Sequence, residues 1–193
     1  MRRTGQSRAE SGFSLVEVLV AMIIIAVGLL GIAKMQALLL ADSGISRVRA
    51  LVALEAASLA ASMHANEDYW ASAPSGVSVT ISPTSATPVS ASGDANLANG
   101  VGAALANPSL CEFSSTASYC TPANMAGYDL VQWEQAMNSM LSGATTQISC
   151  QSANLQIFCT IDITWTENLA NANREEQGST ALQTQSYQLV VEP

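Results

Sequence analysis

A single carboxylate inside a long apolar run is the first candidate for chemistry in this sequence. The run extends from Phe13 to Ala33, and Glu17 is its only charged residue. A charged side chain at the centre of a bilayer costs about 2.5–3.5 kcal/mol, and less near the end of a span, where Glu17 lies. Two interpretations remain open. Glu17 reaches the membrane surface, or it pairs with a positive group of another chain in the same apolar layer.

Four cysteines form the second candidate group. Cys111, Cys120, Cys150 and Cys159 all follow the apolar run, and disulfides are expected if this part of the chain is exported. Four cysteines allow three connectivities, and the two equal intervals favour Cys111–Cys120 and Cys150–Cys159 as the most economical pairing. Metal binding is less favoured, because there is no C-x2-C spacing and the one histidine, His64, is far from the cysteines in sequence.

Residues suited to catalysis are few and do not form a recognisable pattern. The sequence has no G-x-S-x-G motif, phosphate-binding loop or metal motif. His64 is more typical of an exposed or packed helix residue than of a general base, and Asp129, Glu134 and Asp162 have no obvious partner. We therefore expect no enzymatic activity, no catalytic residue, no metal and no cofactor. An enzyme anchored by one helix would instead need a pocket with converging polar groups.

Composition and charge limit the class of protein. The 193 residues are 49% hydrophobic and 11% charged, which suits one membrane-associated segment and one modest globular domain. The net charge of −8 argues against nucleic acid as a partner. Three of the seven basic residues, Arg2, Arg3 and Arg8, precede the apolar run. The positive-inside tendency keeps them in the cytoplasm and places the chain after Ala33 across the membrane.

The apolar run is long enough to cross a bilayer once. Its 21 residues span about 31 Å as a helix, close to the hydrocarbon thickness. An ordinary secretory signal carries its small-residue cleavage site after the apolar region. Here the small residues Ser11 and Gly12 come before it. Cleavage at Gly12 would therefore leave the apolar segment in the mature protein.

The helix is predicted to continue beyond the membrane. From Met35 to Asn66 the chain lacks proline, and its apolar residues recur at helical spacing. One long helix, Phe13–Asn66, is therefore expected, transmembrane over about 13–33 and followed by a head over 67–193. Residues 71–109 are rich in Ala, Ser, Pro, Gly, Thr and Asn, which predicts a low-complexity loop with one short strand at Val77–Ile81.

Regular structure is predicted again after the first cysteine pair. Thr121 is a good N-cap for a helix over Pro122–Leu141 that packs Trp133 inward. Three antiparallel strands follow, in "TTQIS", "FCTIDITWTE" and "TQSYQLVVE", with the polar loop "NLANANREEQGS" between the last two. The predicted fold class is α+β, with an antiparallel sheet and an additional helix beside the long N-terminal one.

The stretch "GFSLVEVLVAMIIIAVGLLG" resembles the processing and assembly signature of type IV pilins. A basic leader, residues 1–12, ends in Gly12, Phe13 follows, and Glu17 is the fifth residue of the apolar helix. The resemblance implies that prepilin peptidase cuts between Gly12 and Phe13 and methylates the new amine of Phe13. It further implies that Glu17 receives this amine from a neighbouring subunit, and that the chain has the type IV pilin fold. The proline found in many major pilins is absent here, and Lys34 lies in that neighbourhood.

A second stretch narrows the resemblance. "CTPANMAGYDLVQWEQAMNSML" followed by strands ending in "DITW" is similar to the PilV type of minor pilin, the type IV pilus modification protein. This similarity implies a low-copy subunit that supports pilus assembly or initiation, twitching motility or adhesion. The implied partners are prepilin peptidase, other major and minor pilins, the inner-membrane assembly machinery, and membrane lipid before assembly.

The implied location is the bacterial inner membrane, with one span and a periplasmic C-terminal domain, and then the extracellular pilus. Two alternatives remain. A type II secretion pseudopilin shares the N-terminal signature. A single-pass binding or adhesion module that never polymerises would share only the apolar span.

Overall fold

The structure is a computed structural model that describes residues 14–109, 111–112, 120–154, 156–168 and 182–193. The expected leader and the cleavage site at Gly12 and Phe13 lie outside the described residues. The chain divides into two compact units, Met1–Ser43 and Gly44–Pro193.

Helices and strands occur in separate groups along the chain, an α+β arrangement that confirms the predicted fold class. The helices are α1 (Leu15–Ala65), α2 (Glu67–Trp70), α3 (Ala95–Ala106) and α4 (Pro122–Met140). The strands are β1 (Ser78–Ile81), β2 (Val89–Ser92), β3 (Thr145–Ala153), β4 (Gln156–Asn168) and β5 (Leu182–Val191). They form one five-stranded sheet in the order β2-β1-β3-β4-β5, and every neighbouring pair is antiparallel.

The second half of α1 is amphipathic, as its sequence spacing predicts. Val52, Ala56, Leu59 and Met63 recur at steps of three or four residues and are all buried, so they lie on one face of the helix. This face belongs to the core of the second unit. The indole of Trp133 on α4 donates a hydrogen bond to the Glu55 carbonyl at 2.9 Å. The prediction that Trp133 packs inward is therefore confirmed.

The inner face of the sheet supplies another part of this core, to which α2, α3 and α4 also contribute. Ile148 on β3 and Ile161, Ile163 and Trp165 on β4 are all buried. The β4 residues alternate along the strand, because successive side chains point to opposite faces. The three predicted C-terminal strands are confirmed, and each is longer than or shifted from its predicted segment by a few residues.

Helix α4 begins as its sequence predicts. The Thr121 side chain accepts a hydrogen bond from the Asn124 amide at 3.2 Å, and Pro122 occupies the first turn. Proline is tolerated there because the first amides of a helix have no partner within it. The helix ends at Met140, one residue before the predicted boundary.

The prediction of a loop over residues 71–109 is wrong in its main part, because β2 and α3 lie there. The short strand predicted at Val77–Ile81 is confirmed as β1. Asp94 starts α3: one carboxylate oxygen accepts from the Asn96 amide, and the other accepts from the Tyr69 hydroxyl, both at 2.9 Å. Leu97, Val101 and Ala104 of α3 are buried. Their spacing of four and three residues was the available helical signal, and the small polar residues around it obscured it.

Small residues are what the packing of α3 against α4 requires. A Cβ at Gly127 would lie 2.4 Å from the backbone of Gly100 and Val101, and a Cβ at Gly100 would lie 2.5 Å from the Ala123 carbonyl oxygen. The two backbones therefore approach too closely for any side chain at these glycines. The small residues that made this segment resemble a loop in the sequence are therefore the residues that allow α3 and α4 to pack closely.

Candidate functional site

The N-terminal part of α1 is an exposed apolar helix. In the described part of the chain, α1 is the one helix that is long and apolar enough to cross a membrane. The candidate membrane span covers Leu15–Ala37. No residue of its apolar window is buried within the chain. A helix that is apolar on all sides needs apolar surroundings, either lipid or other helices. Gly28 and Gly31 have open space around them, so a neighbouring helix can approach closely there.

Glu17 lies in the first turn of this helix and is exposed. The other charged residue of the span, Lys34, lies 17 positions along the chain, or about 25 Å along a helix. Glu17 and Lys34 are therefore too far apart to form an ion pair within one helix. The position at the helix start favours a negative charge, but a positive partner in the apolar layer has to come from elsewhere.

The structure pairs the cysteines at the two short intervals. Cys111 bonds to Cys120 and Cys150 to Cys159, with Cα atoms 5.4 and 4.0 Å apart. Cys150 and Cys159 lie directly opposite each other on β3 and β4, and both are buried. This second disulfide closes the β3–β4 hairpin and is shielded from solvent reagents.

A charged contact that the sequence does not indicate joins α1 to the sheet. Glu167 on β4 is only 5% exposed. It accepts hydrogen bonds from Arg49 Nε and Nη2 at 3.3 and 3.0 Å and from the Trp165 indole at 2.9 Å. The Arg49 hydrogen bonds hold the pKa of Glu167 below its usual range, with help from Trp165 and against the effect of burial. Because 118 residues separate Arg49 from Glu167, no local pattern could reveal the pair.

The candidate acids of the sequence lie apart from one another. Asp129 and Glu134 are on α4, where burial raises the pKa of Asp129 to about 6 and raises that of Glu134. Asp162 lies on β4 opposite Gln147, and one of its carboxylate oxygens has no hydrogen-bond partner among the described residues. His64 is exposed near the end of α1. The structure does not bring these four side chains into one site.

A small hollow lies between α1 and α4 in the second unit. Its lining residues are apolar except for Glu55: Val48, Leu51, Val52, Glu55, Met137, Met140 and Leu141. Among the described residues, no group of three or more His, Cys, Asp or Glu side chains is arranged to hold a metal ion. The exposed apolar helix with Glu17 is therefore the candidate site that the geometry distinguishes best.

Comparison with protein families identifies the same region. Residues 7–33 match the family model described as the prokaryotic N-terminal methylation motif. The matched segment contains Gly12, Phe13 and Glu17, and it supports a type IV pilin-like protein, of the pilin or pseudopilin kind. Together with the apolar helix, it is consistent with a membrane-anchored, single-pass protein. No curated protein and no solved structure matches the chain.

Proposed function

We propose that this chain is a minor pilin of a type IV pilus, of the PilV type, made as a prepilin and incorporated at low copy. The methylation motif over residues 7–33, with Glu17 in an apolar helix that its own chain leaves uncovered, is the observation that carries the proposal. The subunit supports pilus assembly or initiation, and through it twitching motility or adhesion. It has no catalytic role of its own.

Processing creates the positive partner that Glu17 lacks. Prepilin peptidase cuts between Gly12 and Phe13, and the new amine of Phe13 is methylated and stays cationic. When subunits pack, this amine of one subunit meets the Glu17 carboxylate of its neighbour. Two such charges at about 4 Å attract by about 4 kcal/mol at an effective dielectric constant near 20. This gain is comparable with the cost of about 2.5–3.5 kcal/mol for an isolated charge in the apolar layer.

The ion pair also sets the axial position of each subunit. Apolar helices can slide past one another with little change in energy, because their surfaces are alike along the axis. A single ion pair is satisfied in one register only. The helix is therefore stable in lipid before assembly, with Glu17 near the membrane surface, and is held in register by Glu17 after assembly. The head lies in the periplasm first and outside the cell later, where its two disulfides are maintained.

Mass spectrometry of the N-terminus of the purified chain tests the processing step. We expect a chain that begins at Phe13 and carries one methyl group on its amine. A Gly12→Ala variant should keep its leader. An intact leader on the natural chain would contradict both the pilin and the pseudopilin interpretations, and would favour a single-pass module that does not polymerise.

Replacement of Glu17 tests the assembly step. Glu17→Ala should insert into the inner membrane normally and should be recovered in sheared fibres at least tenfold less, since tenfold corresponds to only about 1.4 kcal/mol of the ion-pair energy. Lys34→Ala is the matched control, because it removes the other charge of the span, and its recovery should be unchanged. Normal recovery of Glu17→Ala would contradict the proposed register. A deletion strain that loses protein export and keeps its surface fibres would identify a secretion pseudopilin instead.

A further inference from the structure

The outer face of the sheet carries a row of polar side chains that crosses all five strands. One residue from each strand pairs in register with the next. In the order of the strands, the row consists of Ser90, Thr80, Gln147, Asp162 and Gln188. The neighbours of each residue along its own strand are buried or partly buried, so the five side chains share the face turned away from the core. At about 4.8 Å between strands, the row is about 19 Å long.

The neighbouring rows on this face are equally polar and contain no charge. They consist of serine and threonine only, apart from Val190 at the β5 edge. Lysine and glutamate, which are typical of solvent-exposed surfaces, do not occur in these rows. Neither do aromatic residues, methionine or arginine, which are typical of protein interfaces. Hydroxyl and amide groups dominate this surface, which suits a ligand that itself carries many hydrogen-bonding groups.

Asp162, at the centre of the row, has an unsatisfied oxygen. Its Oδ1 is buried and has no hydrogen-bond partner among the described residues, although Gln147 and Gln188 lie on the two neighbouring strands. Most buried polar atoms in proteins are hydrogen-bonded, and one that is not reduces stability. A carboxylate oxygen only accepts hydrogen bonds. The partner that Asp162 lacks is therefore a donor.

The surroundings of Asp162 limit the chemistry of this donor. A calcium ion takes six to eight oxygen ligands, commonly from several carboxylates, and these rows contain only one carboxylate. Among the described residues, no cluster of acidic or histidine side chains is arranged for a metal. An anion would be repelled by Asp162 and would find no basic residue in these rows. A peptide would find no apolar or aromatic anchor around the central row.

A sugar meets these requirements. Its hydroxyl groups both donate and accept hydrogen bonds, as the threonine hydroxyls and glutamine amides of the row also do. A neutral sugar brings no charge, and a linear chain of sugar rings can lie along a flat row of side chains. One hydroxyl would supply the donor that Asp162 lacks.

We propose that the outer face of the sheet, centred on Asp162, binds a neutral linear oligosaccharide. A sugar hydroxyl donates to Asp162 Oδ1, and Gln147 and Gln188, whose side chains are exposed, turn aside to admit it and bond to the hydroxyls on either side. The site goes beyond the proposed pilin function and does not depend on it, because it uses only the sheet of the second unit. A chain that never enters a fibre would still bind the sugar.

Nuclear magnetic resonance of the full chain tests the site. The chain is kept in micelles of a detergent without a sugar headgroup, because a sugar headgroup would compete for the site. Cellotetraose and chitotetraose are the neutral probes. A polyethylene glycol dimethyl ether of similar length is the control, because its ether oxygens accept hydrogen bonds and cannot donate them. We expect saturable shifts of the side-chain amide signals of Gln147 and Gln188 with at least one saccharide, and none with the polyether.

Matched variants separate binding from a structural role of the carboxylate. Asp162→Thr continues the pattern of Thr160 and Thr164 on the same strand and suits a strand. It should bind the saccharide at least tenfold more weakly, while its Tm stays equal or rises, because an unsatisfied carboxylate has been removed. Gln188→Ala should also weaken binding, with an unchanged Tm. Asp68→Asn removes an exposed carboxylate from α2 and should bind like the natural chain.

Other results would overturn the proposal. Absence of a saturable shift with both saccharides would exclude the site, and equal shifts with the polyether would show an effect on solvation only. Unchanged affinity in Asp162→Thr would remove Asp162 from the site. A lower Tm in this variant would mean that the carboxylate stabilises the fold. Shifts at Asp162 with calcium chloride alone would make a cation the ligand.

Discussion

The close contact between α3 and α4 gives a sharp test of the packing described above. Gly127 and Gly102 are both helical glycines, but their surroundings differ. A Cβ at Gly127 would lie 2.4 Å from the backbone of Gly100 and Val101, whereas a Cβ at Gly102 would meet nothing within 4 Å. Alanine at these two positions should therefore shift the free energy of unfolding in opposite directions.

The geometry sets the size of each effect. An ordinary Cβ contact begins at 3.4 Å, so alanine at Gly127 must push the two backbones about 1 Å apart. No side-chain rotation can relieve a contact with backbone, so we take the upper end of the overpacking cost, about 3 kcal/mol. Alanine gains about 1 kcal/mol over glycine in a helix. The net result is a loss of about 2 kcal/mol for Gly127→Ala and a gain of about 0.5–1 kcal/mol for Gly102→Ala.

Thermal unfolding followed by tryptophan fluorescence measures both changes. Trp70, Trp133 and Trp165 are all buried in the second unit, so their emission reports on the head and is insensitive to the apolar helix in its micelle. For a chain of this size, Tm should fall by about 4–8 °C in Gly127→Ala and rise by about 1–4 °C in Gly102→Ala. An equal rise in both variants would refute the close contact of α3 and α4.

Two further predictions concern charges in the second unit. Arg49→Ala should cost about 2 kcal/mol at pH 7, because it removes both Arg49 hydrogen bonds from the buried Glu167 carboxylate. This stabilisation is present above the ordinary Glu167 pKa of 4.5 and is lost as pH falls through the lowered pKa of the folded chain. The stability of the variant, measured by urea unfolding, should therefore change less when the pH is lowered. Arg47→Ala, an exposed control two residues earlier, should change little. Burial raises the pKa of Asp129 from 3.8 in the unfolded chain to about 6 in the folded chain, so the free energy of unfolding falls as pH rises between these values. Asp129→Asn should remove this pH dependence. At pH 7 the variant should be more stable than the natural chain by about 1 kcal/mol, after allowance for partial solvent exposure of the side chain.

The elements that could be read from sequence are those with local signals. Thr121 and Pro122 indicate the start of helix α4. The alternation of apolar residues indicates strand β4, at Cys159, Ile161, Ile163 and Trp165. Glu17 stands out because it is the one charge in an apolar run. In each case the signal lies within a few neighbouring residues, so the element can be predicted without knowledge of tertiary contacts.

Features that depend on distant residues could not be read in this way. The contact between Arg49 and Glu167 joins positions 118 residues apart. β2 is only four residues long and is defined by its pairing with β1. Helix α3 lies between these cases. Asp94 and the four-residue spacing of Leu97 and Val101 are local helix signals, whereas Gly100 and Gly102 disfavour a helix. The role of Gly100 becomes clear only with α4 beside it.

The two disulfides also determine how far this chain can be stretched. Each closes a loop between cysteines nine positions apart, and residues inside a closed loop cannot extend when the ends of the chain are pulled. At about 3.4 Å per extended residue, the two bridges together remove about 50 Å from the length that the unfolded head could reach. In the fibre proposed above, a subunit under tension would therefore lengthen in shorter steps with its bridges intact than without them. The Cys150–Cys159 bridge joins β3 to β4 within the sheet, so these two strands stay covalently linked even after the rest of the head has given way.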